Sequence, residues 1–524
     1  MRSFIKKSVF FSLIMVLLML FTISNVQAEE LVVGMNNQAG DINPLVGLNI
    51  GAEYVDINIY DTLVGRASQT TKEGYLIEDS NNFTPELAKS WEITDNVSTY
   101  TFKLREDVNF HNGSKFDAED VDFTFELMQK KGSYAEYFKN LIKEINIIDP
   151  FTVEVKLNRP EPKFLKRIST YNACVMDKET VFEEAGSDID DQMKWLASNA
   201  IGTGPYILES LSTNSVHMKI NEDYFGEIGN IEKIVLLTIS ETSNRRIMIE
   251  KGDIHIATSP SQNDYEALEN NDEIDLLIRP GNSKVVYFSM NLNHEPFDDK
   301  MIREAIAYAV PYEAIINIAA GGEKYAPRAH SLLTSELHGY KPVFNYEHNP
   351  EKARQLVKKA GYEDGLEIQF DLFSAGTYPK CAEILQQELK NIGIDLKIKE
   401  MAPPAFFQAG SAGNLNFIIN SWWDNVADPV GLLTDLTHSK SIPEQGNWAQ
   451  ISVEEIDRSL NAAQSELDSE KRAKLLESVQ ELVNEKLGYI PLWEAKIIMA
   501  MRKNVNGYVH YSDALFRFSE MNID

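Results

Sequence analysis

LEIQFDLFSAGTYPKCAEILQQELKNIGIDLKIKE, residues 366–400, reads as a strand, a helix and a second strand. LEIQFDLF (366–373) is the first strand, and the helix that starts at PKCAEIL (379–385) ends near Gly393. A strand–helix–strand unit of this length is a crossover, and a crossover implies a partly parallel sheet. Just upstream, NPEKARQLVKKAGY (349–362) is a helix with both ends marked, by Asn349 as cap, Pro350 in the first turn and Gly361 past the end. Segment 454–487 is a further charged, amphipathic helical stretch. The N-terminal half is richer in strands. LVVGM (31–35) is a short buried strand, while YTFKLR (100–105) and FTVEVKL (151–157) alternate apolar and polar residues as half-buried strands do. Between them Asp117 is a helix N-cap with Asp120 three residues on, ahead of Val121, Phe125 and Met128 on one helical face. The class is mixed α/β. No Pro/Gly/Ser-rich linker divides the chain, so two lobes would have to be joined by ordered strands.

The N-terminus carries an address. Arg2, Lys6 and Lys7 precede the apolar run VFFSLIMVLLMLFTI, and VQA (26–28) closes it ahead of Glu29 and Glu30. This is the pattern of a cleavable secretory signal peptide over residues 1–28. No Cys follows the apolar run, so a lipid anchor is not expected, and the periplasm is the expected compartment. The rest of the chain is long enough for two or three domains. The formal net charge is −29, against binding to nucleic acid or anionic lipid. Cys174 and Cys381 lie far apart and read as unpaired buried thiols. No HExxH, GxSxG or Walker A motif is present, so no enzyme activity, metal or cofactor is expected. GTGPY (202–206) reads as a turn before a strand, and His438 as a surface histidine.

SWWDNVADP (421–429) needs a use for its rings and carboxylates. Adjacent Trp422 and Trp423 cannot both enter one core from a strand, because successive side chains face opposite sides. At least one ring is expected at a binding surface, where aromatic area supplies contact at low entropic cost; the rival reading has both bracing the loop from behind.

LAKSWEITDNVSTYTFKLREDVNFHNGSKFDAEDVDFTF (87–125) resembles a signature of the extracytoplasmic solute-binding proteins of the oligopeptide/dipeptide/nickel class, which serve ABC importers. GTGPYIL (202–208), KGDIHIA (251–257), FSMNLNHEPFDDKMIREAIAYAV (288–310), the Trp loop and GYIPLWE (488–494) fall in the family's order. The resemblance implies a bilobal periplasmic-binding-protein-like fold. Residues 29–290 would form lobe I with an extra subdomain at about 61–195, residues 291–493 lobe II, and residues 494–524 a return to lobe I. Two hinge strands, near 284–291 and 491–497, would join the lobes, and ligand capture would close them.

In peptide-binding members, an Asp on this loop meets the ligand's α-ammonium. Here that position falls on Asn425, with Asp424 one residue earlier. The Arg that dipeptide binders carry after the strand matching LEIQFDLF is absent from SAGTYPK, where only Lys380 is positive. The resemblance further nominates Asn49, Glu53, Tyr54, Tyr287, Asn291 and Tyr378 as pocket lining, beside Trp422, Trp423, Asp424 and Asn425. It implies a monomer that delivers a peptide or peptide-like solute to an inner-membrane ABC permease. Alternatives are a chelated metal, an oligosaccharide, an opine or a conjugate as ligand, presentation of a ligand to a signalling receptor, or a hydrolase on this scaffold.

Overall fold

The computed structural model describes residues 29–46, 49–374, 376–422 and 428–524, without the side chains of Asn81 and Asn282. The signal-peptide segment, and Trp423, Asp424 and Asn425 of the Trp loop, lie outside the described residues.

A ten-stranded mixed sheet runs through the molecule. At one end Leu366–Phe373 pairs in parallel with Ile394–Met401, and Tyr378–Asn391 is the helix between them, as the crossover reading requires. On the other side of the sheet's middle Glu30–Met35 pairs in parallel with Lys233–Thr238 and with Ile256–Thr258. The middle of the sheet is a pair of long antiparallel strands, Ile274–Met290 and Tyr489–Arg502. Ile274–Met290 also pairs with Phe417–Trp422, which leads into the Trp loop.

Two large cores lie on this frame. One gathers Leu31, Val33, Phe102 and Phe125 with Phe516 and Ile523 from the C-terminus. The other gathers Phe288, Ile306, Phe370, Phe417 and Leu492. A separate four-stranded antiparallel sheet contains Thr99–Leu104 and Thr152–Leu157 as its inner pair, and packs into the first core. The architecture is a bilobal α/β fold with mixed sheets, its two halves linked by strands rather than a loop.

Local chemistry explains the element ends. Asp117 caps the helix Ala118–Lys130, with Asp120 closing a reciprocal capping box. Asn349 caps Pro350–Lys359 through Lys352 N, and Gly361 takes φ +89° beyond its end. The stretch 454–487 is not one helix. It breaks into Glu454–Ser465 and Ser469–Lys486, because Asp468 accepts from Glu470 N and Lys471 N and starts the second. Both thiols are free and buried.

The two long strands are not paired throughout. Their register holds from Ile274 to Pro280 and resumes at Val285, with residues 281–284 bulged opposite Ala495. Gly281 fits there because a Cβ would lie 2.0 Å from the Ala495 carbonyl oxygen. Ser283 holds φ +59°, a left-handed conformation that L side chains disfavour.

Candidate functional site

A cavity of about 580 Å³ lies between the two halves. Glu78, Lys163, Lys166 and Ser512 line it from the first half. Glu336, Leu467 and Arg472 line it from the second, and Ser283 of the bulge contributes to the wall. Its size is that of a small-ligand site. Leu467 is 47% exposed and offers apolar contact area. A smaller cavity of about 230 Å³ is lined by Tyr54, Tyr265 and Lys496.

Charges around the larger cavity are organised in networks. Lys166 Nζ lies 3.2 Å from Glu78 Oε1, and Arg66 Nη1 lies 3.2 Å from Glu78 Oε2. Arg66 also meets Asp513 at 3.1 Å, and Asp513 meets Arg517 at 3.0 Å. Burial pushes the Glu78 carboxyl up, but Arg66 and Lys166 together outweigh it and hold the group well below the usual carboxylate range.

On the facing side Asp428, only 4% exposed, receives Arg472 Nη2 at 2.7 Å and lies 3.8 Å from Arg167 Nη2. Arg167 ends the short helix Phe164–Arg167 of the first half, so this cluster spans the gap. Asp428 Oδ1 also accepts from Val430 N at 3.2 Å and caps the helix Pro429–Thr437. Lys163 differs from its neighbours. Burial lowers its ammonium below the usual lysine value, and none of the described carboxylates pairs with it.

Two further contacts bridge the halves: Tyr265 and Tyr325 have ring centroids 4.4 Å apart, and Gln262 Nε2 donates to Ile318 O at 3.0 Å. The halves are therefore in direct contact at more than one place.

The residues nominated from sequence divide by what they touch. Tyr54 lines the smaller cavity while stacking on Phe516 at 4.9 Å. Glu53 accepts from Tyr171 Oη at 3.1 Å, and burial pushes its carboxyl up to about 7. Asn49 caps the helix Ile50–Ile59 through Gly51 N. Tyr287 is 2% exposed and sits edge-on to Tyr489 inside a core. Asn291 is 4% exposed and accepts from Asn293 N in a turn. For these last three, cap, core and turn duties occupy the groups expected at a pocket wall.

Tyr378 donates to Ser421 Oγ at 3.0 Å, tying the crossover helix to the strand that leads into the Trp loop. Trp422 packs edge-on to Trp448 at 5.9 Å and donates to Asp435 Oδ2 at 3.1 Å, the contacts of a brace. His438 is not a surface residue. It is 6% exposed, and its Nδ1 accepts from Lys440 N because it caps a short 3₁₀ turn.

Sequence reasoning missed Lys163, Lys166, Arg167, Ser283 and Arg472. One signal was available for the first three. NRPEPKFLKR (158–167) holds four cations and one acid in a chain of net charge −29.

No helix among the described residues is long and apolar enough to cross a membrane, and no group of three or more His, Cys, Asp or Glu among them is placed to hold a metal. Comparison with known proteins supplies the lineage. The chain is 27% identical over 540 residues to the dipeptide-binding protein of Escherichia coli K12, covering 97% of each. It is 26% identical to the glutathione-binding protein GsiB of Salmonella typhimurium, covering 90% of this chain and 93% of that one. Among solved structures, the ABC transporter-associated periplasmic binding protein DppA from Helicobacter pylori, in complex with peptide STSA, superposes with a TM-score of 0.80 at 25% identity, covering 94% of this chain and 98% of that one. The family model for bacterial extracellular solute-binding proteins, family 5, matches residues 82–444. With that match across more than half its length, on a bilobal frame enclosing a cavity, the chain belongs to the bacterial extracellular solute-binding proteins of family 5.

Proposed function

We propose that this protein captures a peptide or peptide-like solute between its two halves and delivers it to an ABC permease. The observation that carries the reading is the cavity of about 580 Å³ whose walls come from both halves. A solute touching both walls stabilises the closed arrangement over the open one, because only closure satisfies both sets of groups. The likeness to dipeptide- and glutathione-binding relatives points to a peptide. Pro429, which follows the Trp loop in the sequence, lines the cavity. Trp423, with Asp424 or Asn425, is the loop's contribution to ligand contact.

In this reading residues 1–28 are a signal peptide removed on export, the protein works as a monomer in the periplasm without a lipid anchor, and it performs no chemistry on its cargo. Lobe I takes residues 29–290 and 494–524, and lobe II takes residues 291–493. A non-peptide solute is the second reading. It is favoured by Asn425, which stands where peptide binders carry an ammonium-pairing Asp.

Native mass spectrometry of gently purified full-length protein tests both. A bound mass matching two to five amino acids upholds the peptide reading. A bound mass that no peptide composition fits replaces it with the second. No bound mass, with no binding of a mixed di- to pentapeptide library, rejects capture of peptides.

A further inference from the structure

We propose that Lys163 anchors a carboxylate of the captured solute, so that this protein selects peptide-like solutes presenting an acidic group to the wall built by residues 158–167. The inference rests on the solute-capture reading above and adds the chemical class of the cargo.

The first argument is a count of partners. Four other cations surround this part of the cavity, and each has a carboxylate: Arg66 and Lys166 share Glu78, while Arg167 and Arg472 share Asp428. Lys163 has none among the described residues. The charged groups that act on it from the surrounding elements are Asp428, Lys166, Arg472 and Glu78, two acids and two cations. Those two acids are already engaged. Glu78 Oε2 accepts from Ser512 N at 2.8 Å besides its two cations, and Asp428 Oδ1 accepts from Val430 N. Neither can turn to Lys163 without abandoning a buried partner.

The second argument is energetic. A sheltered ammonium without a counter-ion is costly, and an incoming anion that removes that cost gains more than it would at an open surface. The chain is strongly acidic overall, so an ammonium left uncompensated in a cavity wall stands out against its surroundings. Ser283 adds an independent sign. It is 3% exposed, it belongs to the same wall, and its Oγ has no partner among the described residues.

The third argument joins the sequence to the site. The loop at 374–380 has no Arg for a ligand carboxylate, and its only cation, Lys380, is exposed. That loop therefore offers no cation to the cavity, whereas Lys163 of the first half lines it.

The test uses the full-length protein with two acid–amide pairs of probes, in calorimetry and native mass spectrometry. Tetrapeptides with free C-terminal carboxylates are compared with the same peptides amidated, and glutarate is compared with glutaramide. Wild type should prefer each acid over its amide by about tenfold or more, as expected for a charge-assisted hydrogen bond in a sheltered site. Lys163→Met should abolish that preference, and Lys163→Arg should keep most of it. Circular dichroism and melting curves of both variants establish that they fold. If Lys163→Met is unfolded, the comparison passes to Lys163→Gln. Equal binding of acid and amide by wild type overturns the proposal, as does a preference that survives in the folded Met or Gln variant. If wild type takes no tetrapeptide, the peptide reading is judged by the di- to pentapeptide library and glutarate decides this one. Glutarate binding lost in Lys163→Met upholds the anion site, and no glutarate binding at millimolar concentration rejects it.

Discussion

Replacing Asp428 with Asn isolates the charge at the centre of the bridging cluster. The amide keeps the volume and an oxygen that can still cap Pro429–Thr437, so only the ionic partnership is removed. Arg472, 2.7 Å away with a side chain 12% exposed, then faces a neutral group. Leaving one member of a buried pair uncompensated costs about 3–5 kcal/mol, and a single hydrogen bond to a charged group is worth about 1.5–3 kcal/mol. The retained cap and the weaker Arg167 contact at 3.8 Å place the expected loss at about 2–4 kcal/mol. Urea unfolding of Asp428→Asn, Arg472→Met and the double variant measures it. The two single losses should overlap by about 2 kcal/mol in the double variant.

The pH dependence gives a second reading of the same charge. Burial raises the Asp428 carboxyl, but Arg472 and Arg167 outweigh it, and the net shift is downward from the ordinary 3.8. The unfolded chain therefore takes up the proton first. The stabilisation is complete above 3.8 and drains away as pH falls through the folded value. The gap between wild type and Asp428→Asn should accordingly narrow in acid. A variant within about 0.5 kcal/mol of wild type at neutral pH, or strictly additive losses, would refute the reasoning.

Trp422→Ala and Trp423→Ala should separate cleanly. The first removes the ring packed on Trp448 and should lower stability by about 2–4 kcal/mol in denaturant unfolding; the second should leave unfolding nearly unchanged and weaken binding of the cargo that mass spectrometry identifies, measured by calorimetry. Glu53→Gln should change the pH profile of stability. Burial raises the Glu53 carboxyl from 4.5 to about 7, so the stability carried by its protonated form is present below 4.5 and lost as pH rises through about 7. Melting temperatures should show the Gln variant gaining on wild type between pH 5 and pH 8, by about 1–3 kcal/mol once partial exposure is allowed for. Arg66→Met takes one cation from each of Glu78 and Asp513, which keep Lys166 and Arg517, and should cost about 1.5–3 kcal/mol in urea unfolding.

What could be read from the chain was whatever neighbouring residues decide between themselves. The strand 366–373, the Asn349 cap and the Asp117–Asp120 box all depend on residues a few positions apart, and all stand as read. The break at Asp468 is equally local and was passed over, because helical periodicity on both sides masked a capping residue between them. The binding wall was different. Lys163 faces Arg472 and Asp428 only because the sheet folds one half against the other, and no spacing in the chain announces that meeting. Asn49, Tyr287 and Asn291 present the opposite case. Position in a likeness nominated them, whereas their hydrogen bonds and packing tie them to caps, cores and turns. Asp428 is a helix cap that also collects two guanidiniums from distant parts of the chain.

The bulge at residues 281–284 has a mechanical consequence. The two long strands pair on either side of it in segments that belong to opposite halves, so these few unpaired peptide units opposite Ala495 can absorb a change of angle between those halves. A side chain forced onto Gly281 would press on the Ala495 carbonyl at the pivot itself. That single substitution should stiffen or jam the swing while leaving both hydrophobic interiors untouched.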